Sequence, residues 1–398
     1  MSRFYFDHNA TTPVAPEVIE TVTDVLSHGY GNASSIHADG QRAKQLLEAA
    51  RRQIAGALKA NPAEIVFTSG GTEADNLAVL GLVRQIPCRA KHVITTTIEH
   101  PAVLESCRQL EREGIDVTYV PVSSSGAILA SDVRRSIRPE TVLVSIMHAN
   151  NETGVLQPIR EVGEIVAEAN RAGHAVFFHS DGVQAFGKLP VDVHDLRVDL
   201  YSVSAHKCYA PKGTGALYVR KGVPLRGLQF GGRHERERRA GTENVAGAAA
   251  FGRAVQLTDV EADARLAAEL RDQFERQLFE CLPDIEISGG QAARLPNTSN
   301  ICFGGVEGEA LVIALDLKGF SVSTGAACSS GSIEASHVLL AMGRTADEAR
   351  RCVRFSFGRY NTRQEAEMLA RAVTQSVGHL RSSNRRSGLR QKGEYASI

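Results

Sequence analysis

The sequence predicts an α/β protein with two domains. From Pro16 to about Val219, short apolar runs rich in valine and isoleucine alternate with helical patterns. This alternation indicates a mainly parallel sheet covered by helices on both faces. Near Val260 the pattern changes to a long amphipathic helix followed by mixed elements. A length of 398 residues is enough for two domains.

The predicted strands of the large domain are apolar runs bounded by polar or glycine-rich turns. They read EIVFTS, HVITTT, VLVSIMH, AVFFHSD, DLYSVSAHK and GALYVR. One intervening helix should run from Pro16 to His28, ended by Gly29, and another from Thr72 to Arg84, where T-E-A-D fits a capping box. We assign residues 13–258 to this domain.

The second domain should be a smaller α+β unit made of residues 1–12 and 259–380. Its first helix carries an apolar stripe starting at Val260 and stops before Pro283. IEIS, NICF and VRFSF read as strands, Glu309 to Lys318 as a helix, and T-R-Q-E at Thr362 as the start of the last helix. The basic tail 381–398 is poor in apolar residues, so we expect it to be disordered.

Composition limits the function classes. The 45 basic residues balance 45 acidic ones, which disfavours a nucleic-acid or membrane partner. Seven cysteines without a C-x-x-C pair indicate reduced thiols rather than a disulfide framework. The start, MSRFYFDHNATT, does not resemble a signal peptide. We expect a soluble, cytoplasmic protein, and without H-E-x-x-H or paired Cys/His spacing we expect no metal site.

Lys207 is the strongest local signal. It lies in S-A-H-K, directly after the apolar run DLYSVS and before the turn A-P-K-G. A lysine at a strand end can lose solvation and become a nucleophile toward an aldehyde. For a lone lysine, an exposed turn residue is the better interpretation.

Three further sequence motifs favour a reactive Lys207 over an exposed turn lysine. T-S-G-G-T-E around Gly71 and Thr72 joins a strand to a helix and is typical of a phosphate cup, though it is neither a Walker A loop nor G-x-G-x-x-G. Asp181 ends a buried strand and could pair with a protonated ring nitrogen or, equally, cap a helix. His100 also follows a strand and could stack on a ring or be structural. Together these pieces predict a pyridoxal phosphate site at one sheet edge.

The chain resembles the cysteine desulfurases of NifS/IscS type, which are fold-type I pyridoxal phosphate enzymes. The ordered motifs are Y-F-D-H-N-A-T-T, G-N-A-S-S-I-H, F-T-S-G-G-T-E-A-D-N, E-H-P-A-V-L, H-A-N-N-E-T-G, H-S-D-G-V-Q, S-A-H-K, R-R-A-G-T-E-N, the loop S-T-G-A-A-C-S-S-G and R-F-S-F-G-R. The resemblance covers nearly everything but the tail.

The resemblance implies a role for each site residue. Lys207 would bond the cofactor covalently, Asp181 would pair with the pyridine nitrogen, Gln184 would bond the phenolic oxygen and His100 would stack on the ring. Gly71, Thr72, Ser204 and His206 would hold the phosphate, helped by Thr242 from the other subunit of a homodimer. Asn151 and Arg354 would bind the substrate, although Asn151 could simply stabilise a turn and Thr242 could be a cap.

The implied reaction takes sulfur from L-cysteine. The Cys328 thiolate would attack the substrate sulfur, release alanine and carry a persulfide to an acceptor such as an iron–sulfur scaffold protein. The Cys328 segment, SVSTGAACSSGS, consists of small residues that would let it move between pocket and partner. His100 is a possible base for the thiol.

Some letters depart from the pattern of this family. Thr324 and Ala326 replace serines, Gly182 stands in place of alanine, and Ala205 stands in place of glycine. Because each exchange replaces one small residue with another, we expect these differences to affect the rate of the reaction rather than its type.

Other hypotheses remain open at this point. A selenocysteine lyase would keep nearly every motif, whereas an aminotransferase would give Cys328 no role. A non-catalytic sulfur-relay protein is disfavoured by the presence of Lys207, Asp181 and Cys328. The arginine-rich stretch R-H-E-R-E-R-R-A-G interleaves glutamate and indicates an interface loop rather than a nucleic-acid site.

Overall fold

The structure is a computed structural model that describes residues 3–87, 90–325 and 335–394, with side chains described to residue 383. Within these ranges the helices are α1 (Pro16–His28), α2 (Ala38–Leu58), α3 (Gly71–Val83), α4 (Pro101–Arg112), α5 (Ala130–Ser136), α6 (Ile159–Arg171), α7 (Val245–Gln256), α8 (Val260–Cys281), α9 (Gly308–Asp316), α10 (His337–Ala341), α11 (Ala346–Arg350) and α12 (Arg363–Glu394). Among these helices, none has the length and apolar character needed to cross a membrane.

The strands are short and mostly buried. They are β1 (Phe4–Tyr5), β2 (Ile65–Thr68), β3 (His92–Thr96), β4 (Asp116–Val120), β5 (Thr141–Ser145), β6 (Phe177–Asp181), β7 (Leu200–Ser204), β8 (Gly215–Val219), β9 (Ile285–Ile287), β10 (Thr298–Phe303), β11 (Phe320–Ser321) and β12 (Cys352–Ser356).

The large sheet has seven strands in the order β2-β8-β7-β6-β5-β3-β4. Strands β7, β6, β5, β3 and β4 pair in parallel, and β8 is antiparallel to both β2 and β7. Every residue of β2, β3, β5, β7 and β8 is buried, because helices cover both faces. The mainly parallel α/β fold predicted from the sequence is therefore confirmed.

Two separate apolar clusters fill the two faces of this sheet. One includes Ile54, Phe178 and Phe251 together with residues of α2 and α7. The other contains the apolar residues of α3 and α4, such as Leu77 and Val103. This packing explains why α3 is apolar nearly all round.

A second structural unit forms from the C-terminal part of the chain. Strand β10 lies between β12 and β9, all antiparallel, and β1 pairs in parallel with β11. Its core combines residues of α8, α9 and α12 with Phe6 from the N-terminal segment. The exact division at residues 12/13 and 258/259 stays a prediction.

Local helix signals were right at three positions and wrong at one. Helices α1 and α8 have the expected starts, and α12 begins after Thr362, whose hydroxyl accepts from the Glu365 N–H at 3.2 Å. Helix α3 begins at Gly71 instead of Thr72, and its N-cap Gly70 makes no side-chain cap. The T-E-A-D capping box is wrong because Thr72 lies inside α3 and Asp75 is buried, while Glu73 accepts from the Ser69 N–H.

Two further expectations need correction. The backbone of residues 381–394 continues α12, so the tail is not disordered over this range, and residues 395–398 lie outside the described part. The stretch contains no proline and many good helix formers, which extend a helix already started by packed residues. Cys302 and Cys352 face each other on β10 and β12 and form a disulfide, so these two thiols are not reduced.

Candidate active site

A cavity of about 460 Å³ lies at the carboxyl edge of the large sheet. It brings together ten of the twelve residues predicted from the sequence, namely Gly71, Thr72, His100, Asn151, Asp181, Gln184, Ser204, His206, Lys207 and Arg354. Ligands in open α/β sheets bind at this edge, where the strands leave the core. Thr242 is exposed and absent from the described lining, and Cys328 lies outside the described residues.

The start of α3 forms one end of the cavity. A Cβ on Gly71 would lie 2.8 Å from Val183 Cγ2, so only glycine allows this close approach. Ser204 Oγ, at the end of β7, is buried and has no hydrogen-bond partner among the described residues. An unpaired buried hydroxyl beside the free N–H groups of a helix start suits an anionic ligand.

Asp181 lies at the end of β6 and is 6% exposed. Its Oδ1 accepts a hydrogen bond from the Val183 N–H at 2.9 Å. Burial raises the pKa of Asp181 to about 6, against the opposing effects of that N–H and of the Lys207 ammonium. A buried carboxylate of this kind gains stability from a cationic partner in the cavity.

Lys207 follows β7 and points its amine at the N-terminal segment. Nζ donates to the carbonyl oxygens of Asn9 and of Ala10, the latter at 2.7 Å. The segment itself is held by the Thr12 N–H, which donates to the His206 carbonyl at 2.9 Å. The N-terminal residues therefore form a wall of the site that local sequence patterns do not reveal.

His100 is the N-cap of α4, where its Nδ1 accepts from the Ala102 N–H at 3.1 Å. Burial, the Lys207 ammonium and His337 lower the pKa of His100 to about 4. The ring is therefore neutral near pH 7, and with Nδ1 engaged as an acceptor its proton is on Nε2. His100 thus offers a donor at Nε2, and its Nδ1 is not free to act as a base.

Gln184 and His206 are both held by the N-terminal segment. Gln184 Nε2 donates to the Asn9 carbonyl at 2.9 Å. His206 Nδ1 lies 3.1 Å from Thr11 Oγ1, and burial followed by the charge of Lys207 lowers its pKa to about 4. Both side chains therefore depend on the N-terminal segment for their orientation.

Arg354 comes from β12 and reaches the same cavity. Its Nη1 donates to the Asn151 carbonyl at 2.9 Å, and its Nη2 donates to Asp7 Oδ1 at 2.7 Å. Nε is buried and has no hydrogen-bond partner among the described residues. The guanidinium is thus fixed in place with donors left for a carboxylate.

Sequence reasoning missed Asn9 and Asp75, which also line the cavity. Asn9 is 1% exposed and accepts from Gln184 and Lys207 at its carbonyl. The motif Y-F-D-H-N-A-T-T, which contains Asn9, was the sequence signal for this residue, but the motif alone gave Asn9 no role. Asp75 is buried three residues after Thr72 in a mostly apolar helix that also carries Glu73 and Asn76, and a carboxyl in such a helix is itself a signal.

Burial, followed by the nearby charge of Asp181, raises the pKa of Asp75. Asp75 Oδ1 lies 3.6 Å from His179 Nε2, but burial lowers the pKa of His179 to about 3, so this imidazole brings no positive charge. Asp75 is therefore stable as a neutral acid beneath the site. Asp181 is then the carboxylate that meets a ligand.

Comparisons with known proteins agree with this geometry. The class-V aminotransferase family matches residues 4–369. A protein of Dictyoglomus turgidum named cysteine desulfurase IscS is 43% identical over 380 residues, 95% of each chain. A solved NifS-like protein is 36% identical, with a TM-score of 0.88 over 95% of this chain and 100% of that chain.

A second solved structure, described as SspA in complex with cysteine, is 38% identical, with a TM-score of 0.80 over 90% of this chain and 99% of that chain. Sequence identity of this level across nearly the full length of both chains shows membership of the same family, in addition to a shared fold. The chain therefore belongs to the class-V aminotransferase family, as one of its NifS/IscS-type members.

Proposed function

We propose that this protein is a cysteine desulfurase that uses pyridoxal 5'-phosphate to remove sulfur from L-cysteine. The observation that carries the proposal is one cavity that combines the amine of Lys207, the buried carboxylate of Asp181 and the anchored guanidinium of Arg354. Relatives named cysteine desulfurase and a related structure described with cysteine support the choice of substrate.

The residues present fit the cofactor. Ser204 Oγ is a buried hydroxyl without a partner among the described residues, next to the start of α3, where N–H groups favour a phosphate. Thr72 and His206 line the same cavity and would add donors. Asp181 would hold the pyridine nitrogen in its protonated form. When bound, pyridoxal phosphate supplies an electron sink that stabilises negative charge at the substrate Cα.

Gln184 and His100 would orient the ring. Gln184 uses one amide N–H for the Asn9 carbonyl and keeps a second for the phenolic oxygen. His100 is held by its N-cap bond, so its ring has a fixed plane on which a heterocycle can stack. As a neutral imidazole it adds no cation near the protonated pyridine nitrogen.

Arg354 and Asn151 would bind the substrate. A guanidinium with unused N–H groups grips both oxygens of a carboxylate, and the Asp7 and Asn151 contacts fix where this happens. Binding the carboxylate here would direct the substrate amino group and Cα toward Lys207. The Lys207 amine would then remove the proton from Cα and return a proton later.

Cys328 would accept the sulfur. Its thiolate forms a bond to the substrate sulfur while the Cβ–S bond breaks, and the electron pair of that bond stays with the carbon skeleton, which takes up a proton and leaves as alanine. Gly325 lines the cavity, so the chain enters segment 326–334 from the site itself, which supports this role. His100 would donate a hydrogen bond from Nε2–H to the reacting groups, a role that fits its neutral tautomer better than that of a base.

The protein would act as a homodimer that passes sulfur to an acceptor protein, such as an iron–sulfur scaffold. The family resemblance assigns Thr242 to the cofactor phosphate, and in this chain Thr242 is exposed and does not line the described cavity. A phosphate contact from Thr242 therefore requires a second subunit.

The test is cysteine-dependent release of alanine and sulfide in the presence of a thiol reductant. Lys207→Ala should abolish both products and the visible absorbance of the bound cofactor. Cys328→Ser should abolish sulfide release, while Cys281→Ser, at an exposed free cysteine, serves as the matched control. Sulfide release that survives in Cys328→Ser would refute the role of Cys328. Turnover of selenocysteine without turnover of cysteine would assign a lyase instead.

A further inference from the structure

Lys188 lies directly behind Gln184, outside the ligand cavity. Its Nζ donates to Gln184 Oε1 at 2.7 Å and lies 3.3 Å from Asn9 Oδ1. Lys188 does not appear in the described lining of the 460 Å³ cavity, where Gln184 does. The lysine therefore acts on a bound ligand through Gln184, through Asn9 or through its charge.

The Gln184 amide has two ends that its surroundings can distinguish. Oε1 meets an amine that carries N–H donors, and Nε2 meets the Asn9 carbonyl at 2.9 Å, which can only accept. A flipped amide would place its NH₂ against the lysine and its oxygen against the carbonyl. The contact between the two oxygens would then be repulsive in every case, and the contact between the NH₂ and the lysine would be repulsive whenever the amine is protonated, so this environment selects a single orientation.

The selected orientation has a chemical consequence. Nε2 carries two protons and the Asn9 carbonyl takes one, so the other N–H of Gln184 is available to the cavity. The cavity side of this residue is therefore a donor and never an acceptor. A donor is what an anionic ring oxygen needs.

Asn9 is itself held by hydrogen bonds to residues far away in the sequence, so the network that orients Gln184 extends beyond its own segment. Asn297 Nδ2 donates to Asn9 Oδ1 at 3.0 Å, and Asn9 Nδ2 donates to Thr298 Oγ1 at 2.9 Å. The Asn9 amide is thereby oriented with its oxygen toward Lys188. The carbonyl of the same residue also accepts from Lys207, which links the orienting lysine to the reactive one.

We propose that Lys188 is a positioning residue that fixes the Gln184 amide so that its free N–H donates to the phenolic oxygen of the cofactor. This inference rests on the proposed pyridoxal phosphate site and adds the residue that sets its hydrogen-bond polarity. Lys188 acts on the ring through Gln184.

The charged and titratable groups around Lys188 do not alter this role. Burial, followed by the charge of Lys207, lowers the pKa of Lys188 to about 7, with Cys208 opposing and Arg354 adding to the shift. An amine donates N–H bonds in either protonation state, so it can hold Oε1 on both sides of its titration. His8, on the neighbouring N-terminal segment, is kept neutral by burial and by the charge of Lys188, with a pKa of about 4.

The test is the pH dependence of the visible absorbance of the cofactor-loaded protein, which reports the proton shared between the phenolic oxygen and the nitrogen of Lys207. Lys188→Met should raise the midpoint by about one pH unit, because the oxygen loses its donor and holds the proton more tightly. Equilibrium binding of pyridoxal phosphate to cofactor-free protein should weaken in parallel. Lys188→Arg should restore the wild-type midpoint, and Lys221→Met, at an exposed lysine, is the control.

A double-mutant comparison separates positioning from charge. In a Gln184→Ala background, Lys188→Met should shift the midpoint far less than it does in the wild type. Equal shifts in both backgrounds would mean that Lys188 acts by its charge or through Asn9 rather than through Gln184 and would overturn the proposal, as would an unchanged midpoint in Lys188→Met. If Lys188→Met does not fold, Lys188→Leu, which also lacks a donor, is interpreted in the same way. A wild type without cofactor absorbance would instead refute the proposed function and this inference with it.

Discussion

Asp7 and Arg354 form an ion pair at the wall of the candidate site, with 2.7 Å between Oδ1 and Nη2 and side chains 18% and 4% exposed. The two residues lie 347 positions apart and join the N-terminal segment to β12. A second bond from Arg354 to the Asn151 carbonyl fixes the plane of the guanidinium. The pair therefore positions a planar anion-binding group before any substrate arrives.

Arg354→Lys should lower kcat/KM for cysteine by about 10- to 100-fold, because an ammonium keeps the charge but loses the two-pronged grip on a carboxylate. The visible absorbance of the bound cofactor should not change, since the substitution leaves Lys207 and Asp181 intact. Steady-state kinetics and an absorbance scan check both points. Arg363→Lys, at a 71% exposed side chain, is the control. If Arg354→Lys keeps the wild-type kcat/KM, Arg354 does not bind the substrate carboxylate.

Tyr201 fills the space beside Gly182. A Cβ at position 182 would lie 2.0 Å from Tyr201 Cε1 and Cζ. The Tyr201 hydroxyl is bonded to His148 Nδ1 at 2.8 Å, so the ring cannot easily move aside. This packing explains why glycine stands at position 182 in this chain.

Gly182→Ala should destabilise the protein by about 1–3 kcal/mol through overpacking and should weaken cofactor binding, because residue 182 follows Asp181. Adding Tyr201→Met should recover part of the loss, since methionine is flexible enough to leave room for the methyl group. Denaturant unfolding and cofactor titration measure the two effects. Gly378→Ala, where an added Cβ meets no atom within 4 Å, is the control. Equal stabilities of Gly182→Ala and wild type would contradict this packing account.

The sequence predicted features that depend on local order. Strand ends carry Asp181 and Ser204, so a parallel sheet brings them to one edge by its geometry alone. The helix starts at Pro16 and Thr362 depend on nearby residues and were also predictable.

Other features depend on contacts between distant segments, which no local pattern encodes. Cys302 and Cys352 meet because β10 pairs with β12 in one particular register. Asn9 reaches Gln184 and Lys207 only when the N-terminal segment folds over the sheet edge. The disorder of the tail was predicted from its basic, polar composition. Its backbone is helical up to Glu394 because helix propensity extends α12, whose first turns are packed against the core.

His148 provides a pH-dependent contribution to stability. Burial lowers the pKa of His148 from an ordinary 6.5 to about 4, so between these values the unfolded chain binds a proton that the folded protein does not. This contribution to the free energy of unfolding is complete above pH 6.5 and is lost as the pH falls to about 4. Its full size is about 3 kcal/mol.

His148→Gln keeps an acceptor for the Tyr201 hydroxyl but removes the titration. Between pH 7 and pH 4, its free energy of unfolding should therefore fall by about 2–3 kcal/mol less than that of the wild type. Urea unfolding at several pH values measures the difference. His28→Gln, at an exposed histidine of α1, controls for the substitution itself. Parallel pH profiles for His148→Gln and wild type would show that His148 is not held neutral.

Thr242 offers a test of whether two subunits share each site. It is exposed and does not line the described cavity of its own chain, so a contact with the cofactor phosphate would come from the partner subunit. Thr242→Glu should then repel the phosphate and inactivate both sites of its homodimer, as Lys207→Ala does by removing the amine.

A mixed dimer of the two variants would hold one site with an intact Lys207 from one chain and an intact Thr242 from the other. Mixing two inactive proteins should therefore restore cysteine turnover, up to one active site per mixed dimer. If Thr242 instead served its own chain, each site would lack one group and mixing would restore nothing, so the absence of recovery in verified mixed dimers would refute the shared site.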